Sequence, residues 1–539
     1  MKKKKFWTLG VMLILVLSTI LAACGGSDSK DTGSKDTSSG GDSTSSSESK
    51  TLVYGRGSDS TALDPATVTE GESFKVTVNI YETLINFGEN DVTLHPGLAK
   101  SWESSEDGLT YTMQLEEGVK FHDGTDFNAE AVVKNFERWK AGGADKFPYY
   151  ASQFMVNEKP VIESITADGD YKVIFKLAQP QAPFLKNLAM SPFAIASPTA
   201  FEKNDEALKD QPVGTGPFKF VEWKRNDSIT IEKNPDYRIA DLPKLDKVIF
   251  RSIPDNSARF NALTNAEVDV VDGLSPSDKA SIESNADLQL IERPSMNVGY
   301  LGLTVTRPPF DNVKVRQAVN HAIDKQALVD AFYEGLGETA KNPMPSIIAG
   351  YNDEVEGYDY DPEKAKALLA EAGYDGKEIE LWAMPVPRPY MPDGQKIAEA
   401  IQKNLADVGM KSKIVTFEWA TYLEKAENGE ADAFLLGWTG DNGDADNFLY
   451  TLLDGDNIHS NNYTFYDNKE VHELFVAAQT EMDEDKRNEL YKQAQVIISK
   501  DAPWVPLAHS TPILAANTKV TNYVAHPTGS DRLDTVDVK

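Results

Sequence analysis

The first apolar run extends from Phe6 to Ala23, broken only by Thr8, Gly10, Ser18 and Thr19, and it follows four lysines, Lys2 to Lys5. A charged start, an apolar stretch and the closing Leu21-Ala22-Ala23-Cys24 have the pattern of a secretory signal. A membrane-spanning helix is the competing reading, because a run of ~18 residues lies at the lower edge of spanning length. Beyond Cys24 the apolar pattern vanishes: residues 25–50 hold ten Ser, five Gly and three Thr and no large apolar side chain. Such a tract reads as a flexible tether with a reach of roughly 28 Å. No later stretch approaches spanning length, so everything after the tether is expected to be soluble and on the outer side of the membrane. No internal repeat of solenoid period is present.

The most ordered pattern lies between about 360 and 440. Asp361-Pro362 before Lys364 to Ala372, with Gly373 after, reads as cap, first turn, helix and stop. Ile379, Leu381 and Ala383 alternate with their neighbours, which predicts a strand over 378–384. Ile397, Ile401 and Leu405 recur at helical spacing and end at Gly409; Lys413 to Phe417 is extended, Tyr422 to Asn428 helical, and Ala433 to Trp438 a buried strand. Strands alternating with helices predict right-handed β-α-β crossovers and a mostly parallel sheet covered on both faces.

In open α/β sheets small molecules sit beyond the carboxyl ends of strands, and two of these strands run into unusual loops. One is Met384-Pro-Val-Pro-Arg388-Pro-Tyr390, whose three prolines limit the backbone entropy lost when Arg388 engages a ligand. The other is Gly437-Trp438-Thr439-Gly440-Asp441-Asn442-Gly443-Asp444-Ala445-Asp446-Asn447. Facing loops of opposite charge suit a short zwitterion: Arg388 would take a carboxylate and Asp441 an ammonium no more than roughly 7 Å away. The competing readings are a surface arginine at 388, calcium at Asp441, Asp444 and Asp446, and a core position for Trp438. The acidic spacing does not match an EF-hand.

Composition narrows the function. The chain has 539 residues with 84 acidic against 54 basic side chains, a net charge of −30, 40% hydrophobic residues and a single cysteine. The length suits three to five domains or two large lobes. The charge argues against nucleic acid, and one cysteine excludes a disulfide framework or thiolate metal cluster. His472-Glu473 opens like a zinc-protease helix, but position 476 is Val, so the seven histidines read as structural. Nucleophile-elbow, P-loop and dinucleotide-binding glycine motifs are missing. No catalytic residue, metal or cofactor is expected, although paired carboxylates for glycoside hydrolysis are not excluded by sequence.

Several segments together resemble the extracellular solute-binding proteins of the peptide/nickel transport family: Leu98-Ala-Lys-Ser-Trp102, Gly118-Val-Lys-Phe-His-Asp-Gly124, Gly214-Thr-Gly-Pro-Phe218 and Pro308-Pro-Phe-Asp-Asn-Val-Lys-Val-Arg316-Gln-Ala318. Met296 to Leu301, Tyr360 to Leu369, Leu381 to Tyr390 and Gly437 to Asp444 are similar to its dipeptide-binding branch rather than its oligopeptide-binding branch. Leu21-Ala-Ala-Cys24 likewise resembles a bacterial lipobox, which implies cleavage before Cys24 and lipidation of its sulfur.

The resemblance implies a two-lobed α/β fold with the ligand between the lobes. The expected organisation is a signal over 1–23, a tether over 24–50, a first lobe of 51–293 plus 511–539 with an extra subdomain near 88–210, and a second lobe over 294–510. It implies that Asp441 holds the ligand ammonium and Arg388 its carboxylate, that Trp438, Thr439, Gly440 and Tyr390 line the pocket, and that the backbone after Val53 contributes contacts. The implied partners are a dipeptide, an ABC permease and, through Cys24, the bilayer; a monomer is expected. Longer peptides, haem, nickel or another small metabolite are alternatives within the family, and an extracellular hydrolase or chaperone-like surface protein is the alternative outside it. Ala445 stands where the family has proline, which predicts a looser loop behind Asp441, and Glu116-Glu117 replaces a Leu-Arg-x-Gly segment.

Overall fold

A computed structural model describes residues 49–156 and 159–539. The expected signal, the lipidation site at Cys24 and the tether up to residue 48 lie outside the described residues. No helix among those described is long and apolar enough to cross a membrane.

The 360–440 region folds as its pattern predicts. The Asp361 side chain accepts from the Lys364 N–H, Pro362 opens the helix Pro362–Ala372, and Gly373 at φ 67° closes it. Asp393 caps Gly394–Asp407, which turns Ile397, Ile401 and Leu405 into the core. Strands form over Ile379–Trp382, Ser412–Val415 and Ala433–Thr439.

These three strands belong to a six-stranded sheet, ordered Gly337–Thr339, Trp504–Ser510, Asn297–Leu303, Ala433–Thr439, Ile379–Trp382, Ser412–Val415. The sheet is mixed rather than mostly parallel, which corrects the expectation. Ile379–Trp382 is parallel to both neighbours, and the other three pairings are antiparallel. The cause is topological: Asn297–Leu303 brings the chain into this lobe and Trp504–Ser510 takes it out, and entry and exit strands lying side by side run in opposite directions. A continuous core from Met296 to Ala508 fills the lobe.

A second mixed sheet of seven strands carries Thr51–Arg56 near its centre and is completed by Ile513–Asn517 from the far end of the chain. Attached to it, four antiparallel strands, Ala99–Ser104, Thr110–Leu115, Lys172–Leu177 and Ile162–Ala167, pack on the helix Ala129–Lys146 through Phe136, Trp139 and Phe175.

The chain passes between the two large sheets at residues 293–296 and again at 511–512. The crossings are tied together. The Arg293 N–H donates to the Pro512 carbonyl at 2.9 Å, and the Asn297 side chain donates to the Ser510 carbonyl at 2.9 Å. Because Thr439 pairs with Asn297, the carboxyl end of Ala433–Thr439 lies beside these crossings, whereas the parallel strand Ile379–Trp382 ends level with Phe434, and the loop after it runs on past Gly437 and Gly299 at Tyr390. Of the two loops singled out by sequence, the one after Thr439 therefore emerges at the seam between lobes, and the one after Trp382 leaves its strand short of it.

Candidate functional site

Asp441 lies one residue beyond Gly440, whose N–H donates to the Met296 carbonyl at 2.8 Å and whose Cα packs against Phe448, with no room for a side chain. Its carboxylate is partly buried and faces a cavity of about 320 Å³, within the range of small-molecule sites. The remaining walls come from the first lobe, including Phe74, Thr77, Glu82, Tyr149 and Arg532. Two neutral groups hold the carboxylate: the Tyr149 hydroxyl donates to Oδ1 at 3.3 Å and the Asn447 amide to Oδ2 at 3.2 Å. No cation among the described residues pairs with it. Burial accordingly pushes its pKa up to about 6, and the two hydrogen bonds offset only part of that shift. A desolvated carboxylate without a countercharge, on the wall of a cavity, is a receptor for a cationic group.

The rest of this loop is fixed. Arg487 grips Asp444 with its two terminal guanidinium nitrogens, Nη1 and Nη2, at 2.8 and 2.5 Å. Burial alone would raise the Asp444 pKa, but Arg487 and Lys186 outweigh it and hold it well below the usual carboxylate range. Asp444 also caps the short helix Ala445–Phe448, so the loop expected to loosen at Ala445 is anchored instead. Asp446 accepts from Tyr491 at 3.2 Å and Gln479 at 3.3 Å; burial first, then the Asp444 charge, raises its pKa to about 7. These bonds commit Asp444 and Asp446 within the protein, which removes the donor set that calcium would need. The first lobe clasps the same loop. Lys186 Nζ donates to the Gly443 carbonyl at 2.9 Å, and Asn442 donates to Asn187 at 2.8 Å.

The other expected residues divide. Trp438 is half-buried, donating from its indole to Asn447 at 3.0 Å, and Thr439 is half-buried in the strand pairing with Asn297. Tyr390 is buried with its ring against Gly437, and its carbonyl accepts from the Tyr333 hydroxyl at 2.8 Å. Arg388 is exposed, with its guanidinium 5.5 Å from the Trp419 ring centroid. Among the six expected pocket residues only Asp441 lines the cavity. The expected contacts just after Val53 are not in its wall either, which begins at Phe74. Arg388 and Asp441 thus do not share the cavity, because the proline-bound loop leaves residue 388 exposed outside it.

Sequence reasoning missed Tyr149, Asn447 and Arg532. Asn447 lay within the singled-out loop and could have been found as an amide following three aspartates. Tyr149 and Arg532 reach the cavity only through tertiary folding. Among the described residues one group, Asp454, Asp456 and His472, brings possible metal-ligand atoms within 4.8 Å of one another. There His472 Nδ1 lies 3.0 Å from Asp454, which raises the imidazole pKa, a pairing that accounts for the cluster without an ion. That group lies away from the cavity, on whose wall Glu82 is paired with Arg238 and Arg532 with Asp534.

Comparison with known proteins agrees with this architecture. The chain is 37% identical to Heme-binding protein A of Haemophilus influenzae, with 98% of each chain covered. It is 38% identical to the Dipeptide-binding protein of Escherichia coli, covering 91% of this chain and 95% of that one. The dipeptide binding protein from Pseudoalteromonas sp. SM9913, solved in complex with Met-Leu, superposes with a TM-score of 0.82 at 30% identity over 91% of this chain and all of that one. Residues 93–460 match the model of the bacterial extracellular solute-binding proteins, family 5 (middle region). With the two-lobed fold and the seam cavity, these matches show that the chain belongs to the family 5 bacterial extracellular solute-binding proteins, a family of binders that serve ABC importers.

Proposed function

We propose that this protein is a lipid-anchored, monomeric receptor that captures dipeptides outside the cell and delivers them to an ABC importer in the membrane. The observation that carries the reading is Asp441, a cavity-facing carboxylate with no cationic partner among the described residues. A peptide ammonium supplies the missing charge. Arg388, exposed on the loop that follows Ile379–Trp382, is the proposed acceptor of the peptide carboxylate once the lobes close on the ligand. Trp438 and Tyr390 would flank the peptide on the second-lobe side. Cys24 would carry the lipid, and the tract after it would leave the folded body free to meet its permease.

Calorimetry with dipeptides tests this. Asp441→Ala and Arg388→Ala are each expected to weaken binding by about 2–5 kcal/mol, the usual cost of stranding a charge. Affinity is expected to fall from di- to pentapeptide; unchanged affinity in both variants, or a profile blind to length, rejects the assignment.

Haem is the second reading, favoured by the likeness to Heme-binding protein A and by two histidines on the cavity wall, His95 and His526. Both engage the protein: His95 Nε2 lies 3.0 Å from Thr93 Oγ1, and the two nitrogens of His526 lie 2.7 Å from Thr528 Oγ1 and 3.0 Å from the Asp91 carbonyl. Iron ligation through His526, or through His95 Nε2, would break such contacts, so the dipeptide reading ranks first.

A further inference from the structure

The cavity has a second charged pole. Arg532, on the C-terminal arm that follows Ile513–Asn517, lines its first-lobe wall with 34% of the side chain exposed. Its Nη2 donates to Asp534 at 3.0 Å and to the Tyr237 hydroxyl at 3.2 Å. Nε and Nη1 make no hydrogen bond among the described residues, and neither is sealed off from solvent. The guanidinium, with five donors, therefore meets its acidic partner through one nitrogen and keeps others open.

Two neighbouring acids on the wall, Glu82 and Asp534, are already matched. Glu82 accepts from Arg238 at 2.8 Å and from Thr215 at 2.9 Å. Asp534 is held by Arg532 itself. Glu82 and Asp534 are thus each met by a guanidinium, whereas Asp441 on the same cavity meets none. A ligand that enters ammonium-first at Asp441 presents its remaining groups to a wall that carries one arginine, Arg532, among hydroxyl groups such as those of Thr528 and Ser530. A neutral group gains an ordinary hydrogen bond there; a carboxylate gains a charge-assisted one, about twice as strong.

We propose that Arg532 is a specificity-determining anchor for an acidic ligand side chain, so that the site prefers dipeptides containing Glu or Asp over their neutral isosteres. The inference rests on the dipeptide reading above and refines it. It assigns Arg532 a role distinct from that of Arg388, which would meet the main-chain carboxylate common to all dipeptides.

The test is calorimetry on the full chain with Ala-Ala, with Ala-Glu and Glu-Ala, and with Ala-Gln and Gln-Ala. The wild-type protein is expected to bind one of the acidic peptides at least about tenfold more tightly than its amide isostere. Arg532→Gln is expected to bring that ratio to within about twofold, and Arg532→Lys to leave it intermediate, since a point charge replaces the fork. Thermal melts establish that each variant is folded; should Arg532→Gln fail to fold, the lysine variant carries the test. A ratio near one in the wild-type protein, or a ratio undiminished in the folded variants, overturns the inference while Ala-Ala binding upholds the dipeptide reading. Loss of all peptide binding by the wild-type protein overturns both.

Discussion

Asn447 braces Asp441 at two points. Its carboxamide oxygen accepts from the Asp441 N–H at 2.9 Å, and its amide nitrogen donates to Asp441 Oδ2 at 3.2 Å. The same oxygen accepts from the Trp438 indole at 3.0 Å, so one buried side chain ties the strand end to the ligand-facing carboxylate. Asn447→Ala is expected to strand the indole and the backbone N–H, costing roughly 1–3 kcal/mol of stability by denaturant unfolding. Asn447→Asp tests orientation and charge together. It replaces a donor with a second anion beside Asp441, so the pH at which peptide affinity is half lost should move upward, a change that simple loosening of the loop would not produce.

The Asp441 carboxylate sets a pH dependence of binding. Its pKa in the free protein is raised to about 6, and the ammonium of a bound ligand would lower it. Affinity should therefore be level from about pH 6 until the ligand ammonium itself begins to titrate toward about 8, and fall as the pH drops through about 6, by up to tenfold per unit until the pKa of the bound form is reached. Stability of the free protein runs the other way. A raised carboxylate pKa contributes stability that is present below the unfolded value near 4 and lost as the pH rises through about 6. Calorimetric titrations between pH 4.5 and 8 check the first trend, with Asp441→Asn expected to flatten it; a profile equally steep in that variant assigns the titration elsewhere.

Much of the second lobe was legible because its elements carry local signals. Asp361, Pro362 and Gly373 mark a helix at both ends by the backbone groups they satisfy, and the burial of Ile397, Ile401 and Leu405 follows from helical spacing. The direction of the sheet was not legible. Asn297–Leu303 and Trp504–Ser510 are separated by about two hundred residues and pair only because both flank the crossings to the first lobe. The site divides along the same line. Asp441 sits in a loop whose composition was unusual, whereas Tyr149 and Arg532 reach the cavity from segments with no local mark of it. The Arg388 loop shows the opposite limit: its prolines advertise rigidity, but nothing local tells toward which side a rigid loop points.

Gly443 couples the loop to the first lobe through steric fit. It stands at φ +64°, and a Cβ there would collide with the Val92 side chain. Its carbonyl receives the Lys186 ammonium. Gly443→Ala should force the two lobes apart at this contact and cost about 1–3 kcal/mol, from backbone strain and overpacking together. Val92→Ala in the same chain should recover the packing share but not the share due to φ. Partial rescue of the melting temperature is thus expected, and full rescue would mean that strain at this position is negligible.

The crossing between lobes depends on a buried ion pair. Arg293 meets Asp531 at 2.6 and 2.8 Å, with the two side chains 7% and 3% exposed. Burial by itself would raise the Asp531 pKa, but Arg293 and the hydrogen bonds around it outweigh burial and lower it. Because Arg293 also donates its N–H to Pro512, the pair pins the first crossing segment, the second and the C-terminal arm to one another. Arg293→Met should leave an unpaired buried carboxylate and cost about 3–5 kcal/mol; Arg293→Met with Asp531→Leu, which removes both charges, should cost far less. The pH dependence has a definite sign. A depressed carboxylate pKa contributes stability above its unfolded value near 4 and loses it as the pH falls through the folded value. Acid unfolding of the wild-type protein should accordingly be steeper than that of the double variant between pH 4 and 2, as followed by circular dichroism. Equal slopes would show that the pair contributes no pH-dependent stability.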